Sequence, residues 1–138
     1  MDAAVDDFGL ELPGGIEAGA AARRAVMEHA SGLPDVLQAD ILLLVTELVT
    51  NAVRHGGARP GTPLRLECRQ AGDRLRFLVT DPGTALLSNG GPPVRPAGST
   101  NGDASGWGLF FVEQIAERWG VLAAPLGTCV WFDVAVAA

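Results

Sequence analysis

The stretch LLLVTELVTNAVRHGG, Leu42 to Gly57, decides how the rest of the chain is read. Its first half is oily, its second half carries Glu47, Asn51, Arg54 and His55, and two glycines end it. With Ile41 at zero and an advance of about 100° per residue, Leu44, Val45, Leu48, Val49 and Ala52 fill one broad arc. Glu47, Asn51, Arg54 and His55 share a second arc about 100° wide, into which only Leu43 intrudes. The pattern predicts a helix from about Val36 to His55 with one buried and one polar stripe. A plain solvated face is one account of that stripe. Such faces usually carry several Lys, Glu and Arg, whereas here a carboxylate and an amide stand one turn apart with no Lys nearby. Two hard oxygen donors at that spacing suit Mg²⁺, which takes one or two protein ligands and leaves the remaining positions to water and phosphates.

Outward from this helix, LVTDPGTAL ends an apolar strand on Asp81, followed by Pro82-Gly83. Asp then Pro is ordinary turn chemistry. A carboxylate at a strand end, however, accepts hydrogen bonds only and can read the exocyclic amino group of adenine. Gly83 would let a base lie close to the backbone. Further on, SGWGLFFV sets Gly106 and Gly108 around Trp107 where a loop turns into a helix. Ser105 there is either a helix cap or part of a phosphate-binding turn. The segment is neither a P-loop nor a dinucleotide fingerprint, since no GK[ST] follows.

The remaining chain supplies the frame. FGLEL predicts a short edge strand over Phe8 to Leu12, and Ala-rich IEAGAAARRAVMEHASG a helix ending near Gly32. PLRLECRQ and DRLRFLVTD alternate as two strands of a hairpin linked through Gln70 to Asp73. Pro82 to Gly106 is a long loop of Gly, Pro, Ser, Thr and Asn, a length that in a small domain is usually functional or mobile. A helix from about Trp107 to Arg118 and two closing strands, GVLAAP and TCVWFDVAV, turning at Pro125 to Gly127, complete the order. Strands grouped in hairpins with helices elsewhere predict a two-layer α+β sandwich in a single domain over residues 1–138.

Composition narrows the function. The chain has 138 residues, 48% apolar, with net charge −6. All ten basic residues are Arg, and an acidic, Lys-free chain is poorly suited to neutralising phosphates, so no direct nucleic-acid contact is expected. Cys68 and Cys129 sit in strand-like stretches without zinc spacing and are expected as buried free thiols. The start MDAAVDDFGL has neither a basic region nor an apolar run, and no stretch approaches ~18 uninterrupted apolar residues. A cytoplasmic protein without a membrane span is therefore expected.

Taken together, ELVTNAVRH, DPG and GWGL resemble the N box and the two glycine boxes of the GHKL superfamily, which takes in gyrase, Hsp90, histidine kinases and MutL. GTCVWFDV resembles its closing strand. Within it, the chain is most similar to the small bacterial anti-sigma-factor serine kinases of the RsbW/SpoIIAB type, which share the opening strand and an ARR-like first helix, here Ala22-Arg23-Arg24. The resemblance implies a Bergerat-type fold, with a mixed, mostly antiparallel sheet and helices on one face. It implies bound ATP and Mg²⁺. By position, Asn51 would hold Mg²⁺ and Glu47 would be the general base. Asp81, supported by Gly83, would hold adenine, and Thr128 would bond on the adenine side. Gly106, Gly108 and Leu109 would shape the phosphate end, with His55 near the phosphates and residues 82–105 as the ATP lid. The implied partners are an anti-sigma antagonist with a phosphorylatable serine and a sigma factor. A homodimer is also implied, with Trp119 and the Phe8 edge strand as candidate contacts. The chain departs from the family pattern at Ala85, where the first box has its second glycine, and in a lid whose single basic residue is Arg95. These departures keep open a non-catalytic nucleotide-binding module that acts by holding a partner. A histidine-kinase catalytic fragment is the weaker alternative: there is no room for a phosphoacceptor helix pair, and His29 is followed by Ala30-Ser31 rather than an acid.

Overall fold

Alternation of apolar and polar residues builds the sheet. In strand β2 (Leu64–Ala71) Leu64, Leu66 and Cys68 are buried, and in β3 (Arg74–Asp81) Leu75, Phe77 and Val79 are. Residues between them point to the other face. The computed structural model describes residues 7–55, 61–83, 110–125 and 127–136. The two strands pair antiparallel from Arg65–Thr80 to Ala71–Arg74, so the turn is only Gly72-Asp73. It is tighter than the four-residue link expected from sequence because Gly72, at φ 61°, supplies the left-handed backbone that such a turn requires.

Around this hairpin, β1 (Phe8–Leu12) pairs with β2, while β5 (Gly127–Ala135) pairs with β3 and with β4 (Arg118–Ala124). The sheet order is β1-β2-β3-β5-β4, with every pairing antiparallel. Helices α1 (Ala18–His29), α2 (Asp35–His55) and the short α3 (Phe110–Ile115) complete the two-layer α+β arrangement. One sheet face meets the helices: Ile41, Leu44, Val45, Leu48, Val49 and Ala52 of α2 are all buried there, matching the predicted apolar arc. Phe77 and Phe132 stack at 5.2 Å in the core. Ala18, Ala22, Ala25 and Val26 bring α1 against α2, and Gln38 Nε2 donates to the Ala30 carbonyl at 2.8 Å, closing the end of α1. Phe8 stacks on His29 at 4.1 Å and ties edge strand β1 to α1.

Two further expectations change. The third helix stops at Ile115, not Arg118. After Ala116 N–H closes on Val112 O, Glu117 N–H donates to Asp133 O, and the chain is already joining the sheet. Trp119, a candidate dimer contact, is 3% exposed and donates through Nε1 to Glu113 Oε1 at 2.8 Å, so it is a core side chain and offers no outer surface. Residues 35–54 of α2 are long and apolar enough by length and composition to cross a bilayer, although polar residues interrupt the run. Here the apolar arc of that helix is spent on the sheet.

Candidate functional site

Helix α2 carries Glu47 and Asn51 on one face, one turn apart, where they line a cavity of about 250 Å³. Leu43 and Phe111 give that cavity an apolar wall, and Thr46, Thr50 and Arg54 add polar groups to it. Glu47 Oε1 accepts the Val112 N–H at 2.9 Å, joining α2 to α3. Burial pushes the Glu47 carboxyl above its usual range, and the amides of Val112 and Phe111, which favour the charged form, oppose this without cancelling it.

Asn51 is 2% exposed, yet neither Oδ1 nor Nδ2 has a hydrogen-bond partner among the described residues. Leaving such a group buried and unpaired costs about 1–3 kcal/mol, so the folded chain keeps it at a standing cost. A ligand would relieve it. The amide oxygen suits a hard cation, and among the described residues no group of three His, Cys, Asp or Glu could hold a metal unaided. That combination fits Mg²⁺ carried in on phosphates, with one protein oxygen completing its shell.

A second cluster lies at the end of β3. Asp81 is 3% exposed, and its Oδ1 accepts the Gly83 N–H at 2.6 Å. Thr128, paired with Asp81 across the sheet, donates Oγ1–H to the Gly83 carbonyl at 2.6 Å. The DPG turn is thus clamped from both sides. Gly127 makes the clamp possible: a Cβ there would sit 1.8 Å from the Asp81 carbonyl oxygen. Helix α2 packs on β3 and β5, the strands that present this cluster, although the lining of the α2 cavity does not include Asp81, Gly83 or Thr128.

Of the expected site residues, Glu47 and Asn51 are brought together in one cavity, and Asp81, Gly83 and Thr128 in one clamp. His55 ends α2, and its side chain lies outside the described residues, as do Gly106, Gly108, Leu109 and lid residues 84–105. Thr46, Thr50 and Gly127 were missed. Their signals were present: TE and TN recur four residues apart, and a glycine sits just after a turn opposite the DPG strand.

Residues 13–134 match the histidine kinase-like ATPase domain. The chain belongs to that family. It is therefore an ATP-binding module of the kinase type. An uncharacterized protein of Streptomyces coelicolor is 34% identical over 77 residues, covering 56% of this chain and 68% of the relative. The fold is similar to that of the blue-light activated histidine kinase of Erythrobacter litoralis, with TM-score 0.56, 22% identity, and coverage of 90% of this chain and 42% of that one. The histidine kinase domain from the same protein aligns at TM-score 0.52 and 21% identity, covering 86% and 60%. This histidine kinase-like ATPase domain thus spans less than two thirds of the solved chains it matches.

Proposed function

We propose that the protein is a Mg·ATP-dependent serine/threonine kinase of the anti-sigma type, acting on a serine of an antagonist protein and controlling a sigma factor by exchange of partners. The observation that carries the kinase chemistry is the buried, unpartnered Asn51 amide beside Glu47 in one cavity. The choice of partner rests on ELVTNAVRH, DPG and GWGL, on the ARR-like first helix, and on their order. Asn51 Oδ1 would hold Mg²⁺, which when bound would supply charge neutralisation on the phosphates. Asp81 orients the adenine, with Thr128 and Gly127 holding its turn in shape. Glu47 takes the proton from the substrate hydroxyl. Its upward-shifted carboxyl makes it a better base than an exposed glutamate, because proton affinity rises with pKa.

A second reading, a nucleotide-binding module without transfer, is favoured by one contact. The amide of Val112 donates to Glu47 Oε1 and stabilises the carboxylate, which works against its taking a proton. Titration calorimetry with ATP, with and without Mg²⁺, followed by transfer of labelled γ-phosphate to a serine-bearing antagonist, separates the two. Transfer that disappears in Glu47→Gln while ATP binding persists supports the kinase. Mg²⁺-dependent binding without transfer to any antagonist supports the module.

A further inference from the structure

The chain is acidic overall, at net −6, yet half of its ten arginines stand on the sheet face that the helices leave uncovered. Register places Arg65 and Arg69 of β2, Arg74 and Arg76 of β3 and Arg118 of β4 on that side. Glu11, Glu67 and Asp133 of the strands stand among them, and Asp73 and Glu117 flank Arg74, while Arg118 is left without an acid partner among the described residues. Four of these arginines, with Ala71 and Asp133, line a hollow of about 360 Å³.

Arg76 is held ready within it. Its Nε and Nη2 donate to the two carboxylate oxygens of Asp133 at 2.7 and 2.9 Å, and its guanidinium lies 4.0 Å from the centroid of the Trp131 ring. Gly120 leaves space for that indole, since a Cβ there would come within 2.8 Å of Trp131 Nε1. A guanidinium fixed by its carboxylate and ring has little freedom left to lose on binding, and it keeps Nη1 for a new acceptor. Arg74 bonds Glu117 through Nε, has Nη1 4.0 Å from Asp73 Oδ1, and leaves Nη2 for a new acceptor in the hollow. Arg118 has no ion pair among the described residues. Leu122, 46% exposed on the same face, adds an apolar spot beyond Gly120.

We propose that this hollow docks an acidic, extended segment of a partner protein, carboxylates reaching Arg118, Arg74 and Arg76 and an apolar side chain resting on Leu122. The interleaved carboxylates favour this occupant over a nucleic acid. Glu67 between Arg65 and Arg69, and Asp133 beside Arg76, would repel a continuous phosphate backbone but leave separate slots for spaced carboxylates. The face lies across the sheet from α2, so docking leaves the Glu47–Asn51 cavity free.

The test uses a fluorescein-labelled peptide of alternating glutamate and alanine, read by anisotropy against the full chain at low salt with ATP present. Saturable binding is expected. Arg69→Glu combined with Arg118→Glu, both exposed side chains, should weaken it at least about tenfold, because facing charges couple strongly at interfaces. ATP binding by this double variant should match that of the unaltered chain, which shows it to be folded. Three results would overturn the proposal: no binding of the acidic peptide, equal affinity in the double variant, or tighter binding of a single-stranded RNA of the same charge.

Discussion

Replacing Asn51 with leucine sets stability against function in a way that few site residues permit. The amide is 2% exposed and both its polar atoms lack partners among the described residues. Removing an unsatisfied buried polar group recovers about 1–3 kcal/mol, and leucine adds apolar contact where asparagine had none. Overpacking works against this, but leucine has the same number of side-chain heavy atoms as asparagine, and the cavity of about 250 Å³ beside it accepts the greater bulk of its methyl groups. The net expectation for Asn51→Leu without nucleotide is a gain of about 1–2 kcal/mol, which in a domain of this size raises Tm by roughly 3–6 °C. Saturating Mg·ATP reverses the order. At a hundredfold excess over Kd the unaltered protein gains about 2.7 kcal/mol, while the variant, lacking the Mg²⁺ ligand, gains only what Mg²⁺-free binding supplies. Thermal melts by circular dichroism, with and without Mg·ATP, read both halves. A variant that melts lower without nucleotide would mean that the amide is satisfied in the folded chain and serves structure. A variant that keeps the full Mg²⁺-linked shift would remove Asn51 from the metal.

Glu47→Gln should raise the urea midpoint near neutral pH, since the carboxyl sits above its usual value of 4.5 mainly through burial. A carboxyl easier to protonate when folded contributes most below its unfolded pKa and loses that contribution as pH rises through the folded one. The gain from glutamine should therefore shrink as pH falls toward 4.5, and a pH-independent difference would contradict the burial argument. Gly127→Ala should cost at least ~3 kcal/mol, because the new Cβ meets backbone, not a movable side chain; an unchanged denaturation midpoint would show that the β5 turn shifts freely. Cys68, whose thiol burial pushes up to about 12, should resist labelling by a thiol reagent in the folded protein at about pH 8 and react once unfolded. Rapid labelling of the native chain would place that strand face in contact with water.

The helix–sheet layering was legible because its signals are periodic. The arc from Ile41 to Ala52 and the alternation through β2 and β3 each repeat often enough to survive one intruder such as Leu43. The end of the third helix was not legible. Nothing local in AERWG distinguishes a last turn from a first strand residue, and the choice is made by Asp133 and Glu113, sixteen residues downstream and four upstream of Glu117. Gly127 illustrates the same limit, since the atom that excludes a side chain there belongs to Asp81 on the neighbouring strand. The arginine face was equally hidden. Its members are scattered from position 65 to position 118 and become neighbours only through the strand order β2-β3-β5-β4.

Burial by itself does not separate site from scaffold among the polar residues. Asn51, Asp81, Thr128 and Asp133 are all at most 3% exposed. Asp133 holds two hydrogen bonds from Arg76, a closed pair whose loss would strand a charge in the sheet, and it needs no ligand to account for it. Thr128 and Asp81 each bond the Gly83 backbone, one to its carbonyl and one to its N–H, so they fix a turn whose shape an adenine would read. Among the described residues, Asn51 alone of the four has neither partner nor turn to serve. A polar group kept dry without a bond costs stability in every molecule that carries it. On the proposed reading Asn51 would hold the metal and the Asp81 turn would recognise the base, with α2 packed across the strands that carry the second.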